Sequence, residues 1–169
     1  MVGTSAAIIG SWQLQSWRIE YGAGRVATFP FGPDADGLLI YAADGWMSAA
    51  MWRRRRSAWS AASARDADAN SRAQAVEEFL SYGGRWYLDG SVLMHEVTFS
   101  VNPVLIGSLQ RRPMQLDGEV LRLSSEETAA GGRKRQHHIE WRRVRPNTYP
   151  AHRPAADQQG QSTPGSSRR

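Results

Sequence analysis

Residues 92–103 read Val92-Leu93-Met94-His95-Glu96-Val97-Thr98-Phe99-Ser100-Val101-Asn102-Pro103. β-Branched and aromatic residues alternate with polar ones and an Asn-Pro pair ends the run, which is the pattern of a β-strand. Successive side chains of a strand point to opposite faces, so one face carries Leu93, His95, Val97, Phe99 and Val101. This apolar face is predicted to line an interior, with His95 as its single titratable group.

The opposite face of this strand carries Met94, Glu96, Thr98 and Ser100. A register shift of one residue would turn this more polar face inward. The apolar face is favoured for the interior because an unpaired Glu96 in a dry cavity would be costly.

Tight-turn signals divide the rest of the chain into further strands. Asp44-Gly45 joins residues 38–41 to residues 46–52, and Asp89-Gly90 joins residues 85–88 to the strand quoted above. Asp-Gly between apolar runs is a strong hairpin signal. With the other runs, about eight to ten strands are expected, joined mostly by hairpins. Such strands pair antiparallel and can close into an up-and-down barrel that holds side chains and one small ligand.

Two segments are predicted to be helical. Residues 4–9 can form a short turn before the first strand, with Gly10 as its end. Residues 71–82 are predicted to form a helix capped by Ser71, with Val76, Phe79 and Leu80 on an apolar face that packs against the barrel. Residues 53–73, which include the run Arg53–Arg56, are expected to form a long loop or lid.

Composition excludes several classes of protein. The 169 residues contain no cysteine, so disulfides, thiolate metal sites and cysteine nucleophiles are excluded. No stretch approaches the roughly 18–20 continuous apolar residues of a membrane span, and the N-terminus is a poor signal peptide. We therefore expect a cytoplasmic protein without a membrane partner. No phosphate-binding loop, dinucleotide fingerprint or nucleophile elbow is present, and no His, Asp or Glu grouping has metal-ligand spacing, so neither cofactor nor metal is expected.

The net charge of +5 is concentrated in Arg53–Arg56 and in the region after Arg133. No nucleic-acid motif frames either cluster, so we interpret them as a solvated loop and a tail, and expect no nucleic-acid partner. Residues 1–145 are predicted to form one domain. Residues 146–169 are rich in Pro, Gln, Ser and Arg and are predicted to be a disordered tail.

Five short motifs follow one another along the chain: Gly10-Ser11-Trp12, Tyr41 to Ser48, His95-Glu96-Val97, Asn102-Pro103 and Leu116-Asp117-Gly118. In this order they resemble the lipocalin-like domain family of bacteria and fungi. The resemblance covers about residues 8–144 and implies a calyx-shaped antiparallel barrel around a mostly apolar cavity. It also implies that Arg142 or Arg143 covers Trp12 by a cation–π contact, and we choose Arg142 as that residue, structural together with Gly10 and Trp12.

His95, Tyr41 and an inward arginine are the candidates for chemistry. A neutral imidazole in the lumen could act as a general base or acid, although a core histidine bonded to a neighbouring strand is an equally simple interpretation. Either Arg111 or Arg112 should point inward by alternation, and we choose Arg111. The expected ligand-contacting residues are Trp46, Met47, Met51, Trp86, Leu93, Val97, Phe99, His137 and Trp141. His137 is expected near Ser16 or Trp17, because the first and last strands of a closed barrel pair.

The resemblance to lipocalin-like proteins, which include carriers and cofactor-free cyclases or isomerases, implies two functions of different class for these residues. The first is a cofactor-free cyclase or isomerase that binds a bulky apolar metabolite, such as a polyketide-like compound of natural-product biosynthesis, and folds it into a reactive conformer. The alternative is a carrier or sequestering protein that uses the same cavity without chemistry. The partner expected in either case is a hydrophobic small molecule, bound by a monomer or homodimer.

Overall fold

The computed structural model describes residues 2–22, 25–129 and 131–145. The predicted tail 146–169 lies outside the described residues. Nine strands and three short helical segments follow one another in this order: α1 (Val2–Ile8), β1 (Gly10–Tyr21), β2 (Arg25–Thr28), β3 (Asp36–Tyr41), β4 (Trp46–Trp52), α2 (Ala69–Glu77), β5 (Phe79–Asp89), β6 (Val92–Ser100), a 3₁₀ turn (Pro103–Leu105), β7 (Leu109–Asp117), β8 (Val120–Ala129) and β9 (Arg133–Arg143).

The strands close into an antiparallel barrel, as predicted. Strands β3 to β9 pair with their neighbours in sequence, and β1 pairs with both β3 and β9, which completes a ring of eight strands. The short strand β2 pairs with the far end of β1. Closure satisfies the backbone groups that an open sheet would leave exposed at its edges.

The helix α1 and the first residues of β1 close one end of the barrel. The indole of Trp12 donates to the carbonyl of Ile8 at 2.9 Å, and Trp12 itself is fully buried. The guanidinium of Arg143 lies 4.1 Å from the centre of the Trp12 ring and donates to the carbonyls of Ile9 and Ala7. The prediction of Arg142 for this contact is wrong, because Trp12 pairs with Arg143 across the two strands and Arg142 is exposed.

Gly10 is the first residue of β1 and lies at this closed end. Its φ is 132°, a conformation that residues with a side chain rarely adopt. A Cβ at this position would also lie 3.1 Å from the Arg143 guanidinium. The glycine therefore lets the chain turn from α1 into β1 beside the arginine.

The opposite end carries the long connections. Residues 53–68 form the expected irregular segment, and α2 follows it. The helix begins two residues earlier and ends five residues earlier than the predicted span of 71–82, because residues from Phe79 onward already belong to β5. None of its residues is buried, and Val76 is 56% exposed, so the predicted packing of an apolar helix face on the barrel is wrong.

A β-bulge between β5 and β6 decides which side chains enter the lumen. Gly84 pairs with Val97 but Gly83 pairs with Phe99, so Thr98 is the extra residue. A Cβ on Gly84 would lie 1.9 Å from the carbonyl oxygen of Glu96, so only glycine fits the bulge. The predicted helix stop at Gly83-Gly84 is instead a close approach of two strands.

The bulge reverses the alternation of β6 after Val97. Leu93, His95 and Val97 are buried and Glu96 is exposed, as expected from the sequence. Phe99 is 49% exposed and lies over Gly83 from outside, so its prediction as a ligand-contacting residue is wrong.

Candidate functional site

The side chains of Tyr41, Tyr82 and His95 come from three strands and meet inside the barrel. The ring nitrogen Nε2 of His95 lies 2.8 Å from the hydroxyl of Tyr41 on β3, and Nδ1 lies 3.1 Å from the hydroxyl of Tyr82 on β5. His95 and Tyr41 are each 1% exposed, and Tyr82 is also buried. The predicted neighbours His95 and Tyr41 are therefore in direct contact.

Tyr82 is the member of this network that the sequence analysis missed. The helical spacing of Val76, Phe79 and Leu80 predicts that Tyr82 lies at the end of a helix. The signal that identifies it is the period of two, since Leu80, Tyr82, Trp86 and Leu88 continue one face of β5 upstream of the Asp89-Gly90 turn.

Both Tyr41 and His95 are held in their neutral forms. Burial and, to a smaller extent, the positive charge of Arg112 together lower the pKa of His95 to about 3. Burial raises the pKa of Tyr41 well above its usual value, as does the neighbouring Tyr82, while Arg112 acts in the opposite direction. Tyr41 and His95 are thus uncharged at neutral pH.

A neutral imidazole has one N–H donor and one bare nitrogen. One tyrosine must therefore donate to His95 while the other accepts from it. Exchanging the roles of Tyr41 and Tyr82 requires that protons move along the existing hydrogen bonds while the donating hydroxyl takes up a proton from outside the network and the accepting hydroxyl releases its own. The arrangement can consequently take up a proton on one side and release one on the other.

The inward arginine of β7 is Arg112. It pairs across the strands with Leu93, which is completely buried on the lumenal face, and it shares that face with Gln110 and Met114. Arg111 is exposed on the outer wall, so its prediction as the inward arginine is wrong. Pro113 made the register of this strand difficult to read from the sequence.

A second polar chain lies on the lumenal face of β1, β8 and β9. A bulge at Gln15 turns Trp17 inward, where its indole donates to Nδ1 of His137 at 3.2 Å. Nε2 of the same ring lies 3.0 Å from a carboxylate oxygen of Glu127. The expectation that His137 lies near Trp17 is confirmed. Burial lowers the pKa of His137, while Glu127 raises it in part.

Most of the other predicted ligand-contacting residues belong to the buried interior. These are Met47, Met51, Trp86, Leu93, Val97 and Trp141. The ring of Trp86 lies 4.9 Å from that of Tyr41 at a tilt of 54°, and its indole N–H donates to the carbonyl of Ala42. The indole N–H of Trp141 is buried without a hydrogen-bond partner among the described residues. Contact of these residues with a ligand stays a prediction.

Trp46 does not face the interior. It is 45% exposed, and the guanidinium of Arg85 lies 4.8 Å from its ring centre. Since Met47 is buried, alternation along β4 places Trp46 on the outer wall, and its prediction as a ligand-contacting residue is wrong.

An open groove of about 460 Å³ is bordered by residues of β1, β7, β8 and β9, and none of Tyr41, Tyr82 and His95 lines it. Of its charged side chains, Arg122 pairs with Glu140 at 2.9 Å, while Arg18 and His138 contact Glu20. These are exposed ion pairs, so we take the lumen as the candidate functional site. Within the described ranges, no set of three or more His, Asp and Glu side chains could hold a metal ion, and no helix is long and apolar enough to cross a membrane.

Comparison with known proteins agrees with the fold. The chain belongs to the lipocalin-like domain family, whose model matches residues 9–144. Membership of this family fits a barrel that binds a hydrophobic small molecule.

Among solved structures, the chain is similar to the lipoprotein YedD of Klebsiella pneumoniae subsp. pneumoniae MGH 78578. The two are 14% identical, the match covers 85% of this chain and 76% of the lipoprotein, and the TM-score is 0.38. No curated protein matches the chain.

Proposed function

We propose that the protein binds a bulky apolar metabolite in the barrel lumen and promotes its cyclisation or isomerisation without a cofactor. The observation that carries this proposal is the convergence of Tyr41 and Tyr82 on the two ring nitrogens of a neutral His95. A uniformly apolar lumen would not offer a proton donor and a proton acceptor side by side. As part of the same proposal, the protein acts in the cytoplasm.

The chemistry is a proton relay along existing hydrogen bonds. One tyrosine hydroxyl removes a proton from a carbon next to a substrate carbonyl while it passes its own proton to the bare nitrogen of His95. The N–H on the other side of the ring passes its proton to the second hydroxyl, which protonates the resulting enolate oxygen. Every group on the protein is neutral before and after this step, which suits a dry environment.

A carrier is the second candidate, and the burial of the network favours it. His95 and Tyr41 are 1% exposed, so a substrate must displace neighbouring side chains before it can contact either hydroxyl. Met47 and Met51 lie in the same buried cluster, and methionine side chains adapt readily to a new neighbour. In a carrier the network would only specify how the strands pack.

Hydrogen–deuterium exchange separates the two candidates without knowledge of the natural ligand. The probe is 2-tetralone, an apolar ketone with acidic α-hydrogens, followed by NMR in deuterated buffer. The enzyme hypothesis predicts exchange above the buffer rate that falls roughly a hundredfold in His95→Gln, the lower end of general acid–base contributions. Gln can still bridge both hydroxyls, which preserves the packing.

The matched control is His138→Gln, which changes a histidine on the outer wall and should exchange like the wild type. Saturable binding of 2-tetralone without exchange above the buffer rate would support the carrier. Exchange that is unchanged in His95→Gln would remove His95 from the mechanism.

A further inference from the structure

Arg112 is a partly buried cation on the lumenal face of the barrel. Its only hydrogen bond among the described residues is to the side-chain oxygen of Gln110, at a long 3.4 Å. No carboxylate of the described residues lies within salt-bridge distance of its guanidinium, whereas guanidinium groups removed from water are normally paired.

The other charged side chains on this face are already compensated. Glu127 contacts both His137 at 3.0 Å and Arg135 at 3.9 Å. The titratable groups on which the charge of Arg112 acts are His95, His137 and Tyr41, and burial favours the neutral form of each. Among the described residues, no carboxylate pairs with the positive charge of Arg112 on this face.

The position of Arg112 also links the two polar chains. It lies on the strand next to His95, and its charge acts on His95, Tyr41 and His137 alike. A guanidinium at this place can make two parallel hydrogen bonds to a planar anion.

We propose that the ligand is an apolar acid, whose carboxylate or comparable anionic group is bound by Arg112 in the lumen. This inference rests on the proposed function, because it names the class of ligand for the same cavity. An anion at Arg112 completes the missing ion pair and holds the apolar part of the ligand beside the tyrosine–histidine network. Neutral apolar compounds of the same shape would lack this contact.

The test uses two fluorescent probes that share one aromatic skeleton. The first is 1-anilinonaphthalene-8-sulfonate, which is an anion, and the second is N-phenyl-1-naphthylamine, which is neutral. Dissociation constants of both are measured by fluorescence titration for wild type, Arg112→Gln and Arg111→Gln. Arg111 is the matched control because it is the adjacent arginine on the outer wall.

The wild type is expected to prefer the anionic probe. Arg112→Gln should weaken its binding roughly tenfold or more, the fold-change of a lost charge-assisted hydrogen bond, and leave the neutral probe unchanged. Arg111→Gln should change neither constant. A probe bound to the outer wall would respond to Arg111 instead, and that result would overturn the inference.

The failures of the two proposals differ. If both probes bind wild type and Arg112→Gln with equal affinity, the lumen binds apolar molecules but the acid specificity is wrong. If neither probe binds the wild type, lumenal binding itself is wrong and the inference falls with it.

Discussion

The barrel holds two inward-facing histidines that are bonded at both ring nitrogens, and their partners give them different properties. His95 lies between two tyrosine hydroxyls, each of which can donate or accept. His137 lies between the indole of Trp17, which can only donate, and the carboxylate of Glu127, which accepts. The proton of His137 is therefore fixed on Nε2, whereas His95 can carry its proton on either nitrogen.

Burial separates the two histidines further. His95 is 1% exposed, whereas the side chain of His137 is 14% exposed and contacts the exposed carboxylate of Glu127. A fixed tautomer next to a carboxylate is suited to orientation, while an unfixed tautomer in a dry site is suited to proton transfer. In the proposed function, His95 therefore carries the proton transfer and His137 has a positioning role.

The largest effect should follow from His95→Leu. The substitution leaves the hydroxyls of Tyr41 and Tyr82 buried without a partner, at a cost of about 1–3 kcal/mol for each. We expect a loss of roughly 2–6 kcal/mol in the free energy of unfolding, measured by urea denaturation. His95→Gln, which can bond both hydroxyls, should retain most of the stability.

The corresponding change His137→Leu should cost only about 1 kcal/mol, because the histidine is partly exposed and water can replace its contacts. Equal losses at the two positions would contradict the contrast in burial on which the comparison rests.

The second effect is the pH dependence of stability. The pKa of His95 is about 3 in the folded protein and near 6.5 in the unfolded chain, so between these values only the unfolded chain binds the proton. Stability is therefore complete above about pH 6.5 and falls as the pH decreases, by roughly 1.4 kcal/mol per pH unit well below that value. From about pH 7 to about pH 5 the contribution of His95 is about 2 kcal/mol.

Chemical denaturation of wild type, His95→Gln and His138→Gln across this range measures the contribution. His95→Gln should lose about 2 kcal/mol less than the wild type, and His138→Gln should follow the wild type. The range lies above the usual pKa of carboxylates, so acid titration of glutamates contributes little to the difference. Parallel curves for all three proteins would show that His95 is not held neutral.

The sequence was most informative where a pattern continued without interruption. Alternation on the first half of β6 predicted that Leu93, His95 and Val97 face inward and Glu96 outward, and Asp-Gly turns predicted the hairpins. These elements predict the closed barrel, and the pairing of the first and last strands predicts His137 near Ser16 or Trp17, of which the structure selects Trp17. Local alternation and hairpin chemistry determine these features, so one chain is sufficient to read them.

The errors occur where a pattern changes phase or where two neighbours are equivalent. Thr98 is an extra residue of β6 relative to β5, and the sequence of β6 alone does not show it. Uninterrupted alternation therefore predicts the wrong face for Phe99. Two adjacent arginines offer the same chemistry, and only cross-strand register selects Arg112 on β7 and Arg143 on β9. A bulge, or two adjacent residues of the same type, leaves the register undecided by the hydrophobic pattern of one strand, so the pairing with the partner strand decides it.

A smaller effect is expected from Trp17→Phe, which removes the donor to Nδ1 of His137. The indole N–H stabilises the bare nitrogen and so favours the neutral ring, hence its loss should raise the pKa of His137. The free energy of unfolding should fall by about 1 kcal/mol for one hydrogen bond of a partly buried pair. NMR titration of the histidine ring signals measures the pKa, and the His95 signals should not move with it. A pKa of His137 that stays constant would mean that Trp17 does not fix its tautomer.

The smallest effect on stability is expected from Glu127→Gln, because exposed ion pairs contribute about 0–1 kcal/mol. The pKa of His137 should nevertheless decrease, since the carboxylate of Glu127 is the group that raises it against the effect of burial. The same NMR titration distinguishes this substitution from Trp17→Phe, because the two move the pKa of one ring in opposite directions.

Glu126→Gln on the same strand is the matched control, as Glu126 pairs with Lys134 and not with the histidine. If both glutamate variants shift His137 equally, the effect is general charge and not the direct contact. A decrease confined to Glu127→Gln would establish that His137 is held by a specific donor and a specific acceptor, in contrast to the interchangeable tyrosines around His95.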